Sequence, residues 1–222
     1  MANLLPRLRL SAPVEGILDP AAAFDIAPVA IWLEIGFGGG EHIIAQAQAH
    51  PEIGLIGCEP FVNGVASLLA QADRLGLGNI RVVDDDARPI LAVLPDASID
   101  RVFVLFPDPW PKKRHHKRRF IGPDSLAALA RVMTDGAELR FASDHMGYVS
   151  WTLGKLLAQE AFVWTARRPA DWRQRPADGF PTRYEEKAVA KGLNPAYLTF
   201  VRRPRRQALW YLNGTDARGP KP

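Results

Sequence analysis

Apolar segments of four to seven residues alternate with helical segments along most of this chain, and five of them in succession end in acidic residues. The five predicted strands are residues 29–35, 53–59, 80–83, 99–105 and 137–142. The acids at or just beyond their ends are Glu34, Glu59, Asp84 to Asp86, Asp108 and Asp144. This alternation is typical of a mostly parallel sheet with helices on both faces, whose right-handed crossovers bring the strand carboxyl ends to one edge. The sequence therefore predicts an α/β fold with a row of carboxylates along one rim, where open sheets of this class bind ligands.

The same pattern divides the chain into one domain with two flanking segments. Apolar residues at helical spacing predict helices at 41–50, 61–75, near 90–94, 123–133 and 145–160. Shorter strands are predicted at 161–164 and 197–201, with an inserted loop, rich in Arg, Pro and Asp, at 166–185. A chain of 222 residues suits one domain of this class, which we place at 29–203. Residues 1–28 are then an irregular lead-in, and residues 204–222 are a basic tail.

A proline-rich acidic turn and a dense cationic run follow the fourth strand directly. Prolines flank Asp108 on both sides, which ends regular structure there and stiffens the loop. Six of the eight residues from Lys112 to Arg119 are Lys or Arg, whereas the whole chain has a net charge of only +4, so the basicity is localised. A localised patch of this kind favours a polyanionic partner. In isolation, Asp108 could instead cap a turn, and the cationic run could be a solvated surface.

A glycine-rich turn follows the first strand and predicts a nucleoside-binding loop. Gly36, Gly38 and Gly40 allow a sharp turn and a close backbone approach to a ligand. Glu59, at the end of the second strand, is where doubly wound folds place the carboxylate that binds ribose hydroxyls. Glu41 occupies the start of the next helix, where a carboxylate disfavours the pyrophosphate of NAD. A cationic cofactor without phosphate, such as S-adenosylmethionine, suits these acids better than NAD does.

Several classes of protein are excluded or disfavoured by the composition. Cys58 is the only cysteine, so no intramolecular disulfide forms and a cysteine-based metal site is not expected. His115 and His116 are adjacent and surrounded by cations, which makes them poor metal ligands. The first residues show no long apolar stretch typical of a signal peptide, and the chain has no run of about twenty apolar residues that would span a membrane. We therefore expect a cytoplasmic protein without a bound metal.

Two further segments carry side chains suited to a nucleic acid. Trp110 lies between Asp108 and the cationic run, where it could stack on an unpaired base or pack the proline-rich loop. Thr182 to Glu185 combine a hydroxyl, a cation, a ring and an acid after a proline-rich stretch, where they could cap a helix or form a turn at a strand edge. Neither segment decides between these roles on its own.

Taken together, four segments of this chain resemble those of bacterial tRNA (guanine-N7)-methyltransferases. They are Leu33–Gly38, Phe106–Arg119, Ser143–Asp144 and Thr182–Glu185. The Phe-Pro-Asp-Pro-Trp segment with its basic continuation is highly specific, whereas many methyltransferases share the glycine turn. The resemblance runs from Ile31 to Val201, although the basic arm that often precedes the first strand in this family is reduced here to Arg7 and Arg9. It implies a Rossmann-like class I fold that uses S-adenosylmethionine to methylate N7 of a guanine in the variable loop of tRNA.

The resemblance also assigns roles to individual residues. It implies cofactor contacts from Glu34, Gly36, Glu59, Asp86 and Asp108, with Asp108 also the catalytic residue. It implies substrate contacts from Lys112, Asp144, Thr182, Arg183, Tyr184 and Glu185. It implies contacts with the RNA from Arg114, Lys117, Arg118 and Arg119. Two alternatives stay open, a methyltransferase acting on another RNA or a protein, and a non-catalytic RNA-binding protein on the same fold; the sequence leaves open whether the protein is a monomer or a homodimer.

Overall fold

A seven-stranded sheet forms the centre of the computed structural model, which describes residues 4–205. Its strands are β1 Ala30–Ile35, β2 Ile53–Cys58, β3 Ile80–Val83, β4 Ile99–Leu105, β5 Met133–Ser143, β6 Phe162–Trp164 and β7 Ala196–Arg202. The spatial order is β3-β2-β1-β4-β5-β7-β6, in which β1 to β5 are parallel and β7 is antiparallel to both of its neighbours. The predicted mostly parallel sheet is confirmed.

Helices cover both faces of this sheet, as the alternating pattern predicts. The α-helices are α1 Leu5–Leu8, α2 Glu41–Ala49, α3 Val62–Arg74, α4 Ala87–Val93, α5 Pro123–Val132, α6 Met146–Leu157, α7 Ala170–Arg173 and α8 Arg183–Ala190. One buried layer joins α4, α5 and α6 to the face that carries Leu33, and the other joins α2 and α3 to the face that carries Trp32. Because both faces are covered, β1 and β2 are nearly continuous apolar runs.

The strand order reverses next to β1. From β1 the chain adds β2 and β3 on one side, and it then returns to add β4 and β5 on the other side. The neighbouring carboxyl ends of β1 and β4 are therefore the topological switch point, where sheets of this class bind their ligands. The glycine turn, Gly36–Gly40, leaves β1 at this point, and the segment Phe106–Arg119 leaves β4 there.

All six residues of β2 are buried, because β1 and β3 flank the strand and helices cover both faces of the sheet. The last of them, Cys58, is 1% exposed. Burial, with the negative charges of Asp86 and Glu59, raises the pKa of the Cys58 thiol well above its usual range. The thiol is therefore a packed, unreactive group, as expected from its place at the end of a strand.

The predicted lead-in is part of the packed unit. The backbone N–H of Leu10 donates to the carbonyl of Val82 at 2.8 Å, and Arg9 forms an isolated parallel bridge with Val82. Leu8 and Phe24 are buried, one in each of the two layers of the core. The boundary that the sequence places at residue 28 does not correspond to a break in packing.

The carboxyl-terminal half departs from the predictions in its helices. Helix α7 interrupts the predicted inserted loop at 166–185, and α8 begins near the end of that loop. Strand β5 begins at Met133, which the pattern assigns to the preceding helix. Residues 206–222 of the predicted basic tail lie outside the described residues. Within residues 4–205, no helix has the length and apolar character needed to cross a membrane.

Candidate active site at the switch point

The glycine turn after β1 has a backbone that other residues would adopt only with strain. Gly36 and Gly38 have φ angles of 76° and 56°, in the left-handed region. Helix α3 packs directly on this turn, because a Cβ placed on Gly64 would lie 2.2 Å from the carbonyl oxygen of Gly38. In front of Gly36 the protein is open, since a Cβ there would have no atom within 4 Å. The turn is thus held from behind and open toward a ligand.

Glu59 fastens the glycine turn to the end of β2. One carboxylate oxygen accepts from the N–H of Gly38 at 2.8 Å, and the other accepts from the N–H of Phe61 at 3.0 Å. The residue is 9% exposed. Each oxygen keeps a second lone pair, with which it can accept from a ribose hydroxyl of a bound nucleoside.

Two further acids of the rim have partners within the protein. Glu34 is 3% exposed, and its Oε2 lies 2.7 Å from Nδ1 of His42 on α2. Asp86 is half-buried and caps α4, since its Oδ1 accepts from the N–H of Arg88 at 2.8 Å while its Oδ2 pairs with the Arg88 guanidinium at 2.5 Å. The structure thus places Glu34, Gly36, Glu59 and Asp86 at the ends of the adjacent strands β1, β2 and β3, as the sequence predicts.

The segment that leaves β4 has an unusual backbone. Phe106 and Trp110 have φ angles of 51° and 42°, which are rare and strained for bulky residues. The N–H of Phe106 donates to the carbonyl of Ala142 at 2.7 Å and ties this turn to β5. Strain of this kind is concentrated at binding and catalytic sites in proteins.

Asp108, between these two strained residues, is exposed. Asp144 is half-buried and follows β5, the strand that pairs with β4 through Leu105 and Ala142. Neither carboxylate has an ion pair or a hydrogen-bond partner within the part of the chain that the structure describes. Two acids at adjacent strand ends are therefore available to a ligand.

The cationic run after Asp108 is a short 3₁₀ helix, Lys113–Arg118. Lys112, Arg114, Lys117 and Arg118 are exposed. The Arg118 guanidinium lies 4.7 Å from the centre of the Trp110 ring, so this ring packs within its own segment. The exposed cations form a compact positive surface next to the free acid.

Arg119 requires a correction, because it does not share this exposure. It is 5% exposed, its Nε donates to the carbonyl of Pro109 at 2.9 Å, and its guanidinium lies over the rings of Tyr148 and Trp151 at 4.7 and 5.2 Å. Burial lowers the pKa of Arg119 from its usual value. The side chain therefore ties the strained segment to α6, and its place among the RNA-contacting residues does not fit the structure.

The segment Thr182–Glu185 forms the first turn of α8 beside the glycine turn. Thr182 caps the helix by accepting from the N–H of Glu185 at 3.1 Å. The Tyr184 ring lies so close to Gly38 that a Cβ on this glycine would be 2.9 Å from the ring. Arg183 pairs with Glu41 at the start of α2 at 3.6 Å. The predicted substrate-binding and cofactor-binding segments are therefore in contact.

Glu185 differs from its neighbours because it points into the protein. It is 8% exposed, and its Oε1 accepts from the Tyr197 hydroxyl at 2.8 Å and pairs with Nε of Arg175 at 3.0 Å. Burial, with the hydrogen bond to Glu185, raises the pKa of Tyr197 well above its usual range. A cavity of about 30 Å³, lined in part by Glu185, Tyr197 and His42, lies beside this pair.

Comparison with known proteins agrees with this arrangement. Residues 28–197 match the family described as putative methyltransferases. The tRNA (guanine-N(7)-)-methyltransferase of Rhodospirillum rubrum is 55% identical over 208 residues, which cover 91% of this chain and 81% of that protein. The protein of the same name from Rhodopseudomonas palustris is 52% identical over 205 residues, which cover 91% and 80%.

The chain belongs to the tRNA (guanine-N(7)-)-methyltransferase family. The resemblance found in its sequence is confirmed. Solved structures support the fold of this methyltransferase: the 16S rRNA methyltransferase KamB matches with a TM-score of 0.60 at 16% identity, over 86% of this chain and 97% of that one. A 16S rRNA (adenine(1408)-N(1))-methyltransferase from Catenulisporales acidiphilia, with its cosubstrate, has a TM-score of 0.54 at 19% identity, over 81% and 88%.

Sequence analysis of this methyltransferase misses a group that holds its inserted loop in place. Asp178 receives two hydrogen bonds from the Arg140 guanidinium, at 2.7 and 3.0 Å, and one from Arg101 at 3.1 Å. Burial alone would raise the pKa of Asp178, but the hydrogen bonds and charge of Arg140, with the charge of Arg101, lower it. Arg140 and Arg101 lie 38 and 77 residues before Asp178, so local sequence carries no signal of their pairing.

The donor set at the switch point fits a cationic nucleoside cofactor. The open turn at Gly36 provides room, and the rim presents the carboxylates of Glu34, Glu59, Asp86 and Asp108. A pyrophosphate would meet repulsion from these acids, whereas a sulfonium and an ammonium are attracted to them. Within residues 4–205, no group of three side chains is arranged to hold a metal ion.

Proposed function

We propose that this protein transfers the methyl group of S-adenosylmethionine to N7 of a guanine in the variable loop of tRNA. The observation that carries the proposal is the position of Asp108. This exposed acid stands at the switch point, beside the glycine turn and directly before a surface of exposed cations. Membership of the family supports the same reaction. With tRNA as the substrate, the protein acts in the cytoplasm.

The residues that would hold the cofactor lie on the β1, β2 and β3 side of the rim. We assign its ammonium group to Glu34 and its ribose to Glu59, with Gly36 and Asp86 completing the site and Asp108 on the side of the substrate. When bound, S-adenosylmethionine supplies an electrophilic methyl group on a positively charged sulfur. The acids of the rim complement that charge and orient the cofactor.

The chemistry at the guanine requires no general base. N7 presents a lone pair and carries no proton, so attack on the methyl group releases none. The protein's work is to align N7 with the methyl group and to provide a suitable electric field. Because N7-methylation makes the guanine cationic, the free carboxylates of Asp108 and Asp144 stabilise the charge that develops.

The exposed cations bind the phosphates around the target nucleotide. Lys112, Arg114, Lys117 and Arg118 follow Asp108 within ten residues, so an RNA held on them brings a nucleotide to the acid. Arg183 and Tyr184 lie against the glycine turn, where with Thr182, the cap of their helix, they would contact the same substrate. Contacts with phosphates supply affinity, whereas recognition of the guanine falls to the acids and to α8.

The experiment that tests the proposal is methylation of bulk tRNA that lacks the modification. The tRNA is incubated with the protein and S-adenosylmethionine labelled in its methyl group, and the product is mapped at nucleotide resolution. We expect 7-methylguanosine at one position of the variable loop. The isosteric variant Asp108→Asn serves as the matched control and should lose most of the activity.

Other outcomes separate the alternatives. Label in a different nucleoside, in another RNA or in a protein would replace the proposed substrate with a different methyl acceptor. Binding of S-adenosylmethionine without transfer to any acceptor would favour a non-catalytic RNA-binding protein. Absence of cofactor binding in a direct titration would overturn the proposal at its first step.

A further inference from the structure

A buried chain of polar side chains connects the cofactor side of the rim with the inserted loop. Glu34, His42 and Gln46 are 3%, 2% and 0% exposed. His42 Nδ1 lies 2.7 Å from Glu34 Oε2, Gln46 Nε2 lies 3.2 Å from His42 Nε2, and the same Gln46 nitrogen donates to the backbone carbonyl of Asp178 at 3.1 Å. This hydrogen-bonded series thus runs from the end of β1, through one face of α2, to the loop before α8.

The partners at the two ends determine where the protons lie. The carbonyl of Asp178 can only accept, so the Gln46 amide nitrogen must face it and donate. The second N–H of that amide is directed at His42 Nε2, which must therefore accept. The imidazole then carries its proton on Nδ1 and donates it to Glu34. Rotating the Gln46 amide by half a turn would set its oxygen against the Asp178 carbonyl.

Burying this series of polar side chains lowers stability, and packing alone would not require polar residues here. His42 contacts the Phe103 ring at 4.7 Å and faces the Phe180 ring at 6.5 Å, surroundings that would accept an apolar side chain. Gln46 Oε1 is buried and has no hydrogen-bond partner in the described part of the chain. A buried polar group without a partner destabilises a protein, so its retention needs an explanation.

The far end of the chain reaches the segment that faces the substrate. The side chain of Asp178 is fixed to the sheet by Arg140 and Arg101. In the same loop, Arg175 pairs with Glu185, in the first turn of α8. A shift of this loop would therefore move α8 through the Arg175–Glu185 pair and would move Gln46 through the carbonyl of Asp178.

We propose that His42 and Gln46 are positioning residues for the cofactor acid Glu34. His42 occupies one oxygen of Glu34 and leaves Oε1 oriented toward the ammonium group of S-adenosylmethionine. Gln46 donates to Nε2 of His42, which supports the tautomer that Glu34 requires, and joins this acid to the loop that carries Asp178. The inference rests on the proposed function only for the identity of the cofactor, because the hydrogen-bond order follows from the protein alone.

The tautomer is tested by long-range ¹H–¹⁵N spectra of the full chain labelled at its five histidines. The His42 signals are assigned by their loss in His42→Phe, and we expect a neutral ring protonated at Nδ1. In Gln46→Met, which keeps the volume but removes the donor, the ring should stay protonated at Nδ1 because Glu34 still accepts there, and the Nε2 resonance should shift because Nε2 loses its hydrogen bond. A wild-type ring protonated at Nε2, or an Nε2 resonance that does not respond to Gln46→Met, overturns the proton order.

The positioning role is tested by titrating two ligands into each variant. S-adenosylhomocysteine carries the ammonium group, whereas 5′-methylthioadenosine lacks the whole amino acid part. We expect His42→Phe to weaken S-adenosylhomocysteine by about tenfold, the usual size of a hydrogen bond to a charged group, and to leave 5′-methylthioadenosine unchanged. His42→Asn, whose amide can replace Nδ1–H, should recover most of the affinity.

His50→Phe, the same substitution just after the end of α2, is the matched control and should leave both affinities unchanged. Equal weakening of the two ligands in His42→Phe, or no weakening of either, overturns the role. These measurements require no tRNA. Failure of methylation on tRNA would therefore count against the proposed function alone, and failure of the ligand comparison against this inference alone.

Discussion

The two halves of the rim are built in opposite ways. In the cofactor half, which comprises the glycine turn with Glu34, Glu59 and Asp86, left-handed backbone is carried by glycines and each acid has a partner within the protein. In the substrate half, which comprises the segment Phe106–Arg119 with Asp144, left-handed backbone is carried by a Phe and a Trp, and the acids have no partner among residues 4–205. One half is complete in the free protein, whereas the other presents unpaired charge.

This difference matches the ligand that we propose for each half. A small cofactor of constant shape is held best by a site that is fixed beforehand, because little ordering is then required on binding. A polyanion brings its own charge, so exposed cations and a free acid gain their partners only in the complex. The strain at Phe106 and Trp110, about 1–3 kcal/mol for each residue, is supported by neighbouring contacts such as the Arg119 anchor.

The largest expected effect tests whether the free acid of the substrate half, Asp108, is dispensable for folding. Asp108→Ala removes a carboxylate with no partner in the described protein, so we expect the free energy of unfolding to change by less than about 0.5 kcal/mol. Methyl transfer to tRNA should fall at least about 100-fold, because in the proposed mechanism this carboxylate stabilises the transition state. Urea unfolding and single-turnover transfer rates check the two parts. Loss of stability with retained turnover would reverse the assignment.

The next effect concerns the anchor within the substrate half. Arg119→Met keeps an unbranched apolar stem but removes the guanidinium, and with it the hydrogen bond to Pro109 and the stacking on Tyr148 and Trp151. We expect it to lower the free energy of unfolding by about 2–3 kcal/mol, measured by urea denaturation. The salt dependence of tRNA binding should stay as in the wild type. A reduced salt dependence with unchanged stability would return Arg119 to the RNA surface.

A smaller effect is expected from the exposed cations next to this anchor. Replacing Lys117 and Arg118 together by Ala should weaken tRNA binding and lower the free energy of unfolding by at most about 1 kcal/mol, the size of the exposed contact between Arg118 and Trp110. Loss of two phosphate contacts should lower the slope of log affinity against log salt by roughly 1.5. Filter binding over a range of salt concentrations measures this slope. Arg119→Met is the control. Comparison of the two variants separates residues that contact the RNA from a residue that stabilises the fold.

The smallest effect concerns the tether of the inserted loop. Because the pKa of Asp178 is lowered in the folded protein, its carboxylate stabilises the fold above the unfolded pKa of about 4, and this contribution is lost as the pH falls through the folded value. Asp178→Asn should therefore be less stable than the wild type at pH 6, by at most about 1 kcal/mol for a side chain that is nearly half exposed. Urea unfolding from pH 6 to pH 3 should show the difference narrowing below about pH 4. A difference that persists unchanged at low pH would rule out an ionic tether.

The sheet and its rim could be predicted because their signals are local. Buried strands are mostly apolar runs, and the acids and glycines lie at or just beyond the strand ends, so connection rules alone bring Glu34, Glu59 and Asp108 to one edge. Helix α8 gave no such signal, since only Glu185 and Ala188 of its residues are buried. Its place is determined by contacts with the glycine turn and with β7, which no local pattern encodes.

The roles of individual charged residues could not be predicted from the sequence either. Arg119 closes a run of cations, and nothing in that run distinguishes the buried member from the exposed ones. Asp178 and Arg140 meet only because the inserted loop folds back over β5. The hydrogen-bonded order of Glu34, His42 and Gln46 depends on the backbone carbonyl at residue 178, which any amino acid would have provided.

Because Cys58 is buried in the centre of the sheet, its thiol can report how often the folded protein opens there. A thiol at 1% exposure with a raised pKa is protected from alkylating reagents while β2 stays between its neighbours. Labelling then proceeds only through conformations in which the centre of the sheet separates, so its rate reports how often they occur. Because the chain has a single cysteine, this measurement needs no engineered residue, and cofactor bound at the proposed site across the ends of β1 and β2 should slow it in proportion to its affinity.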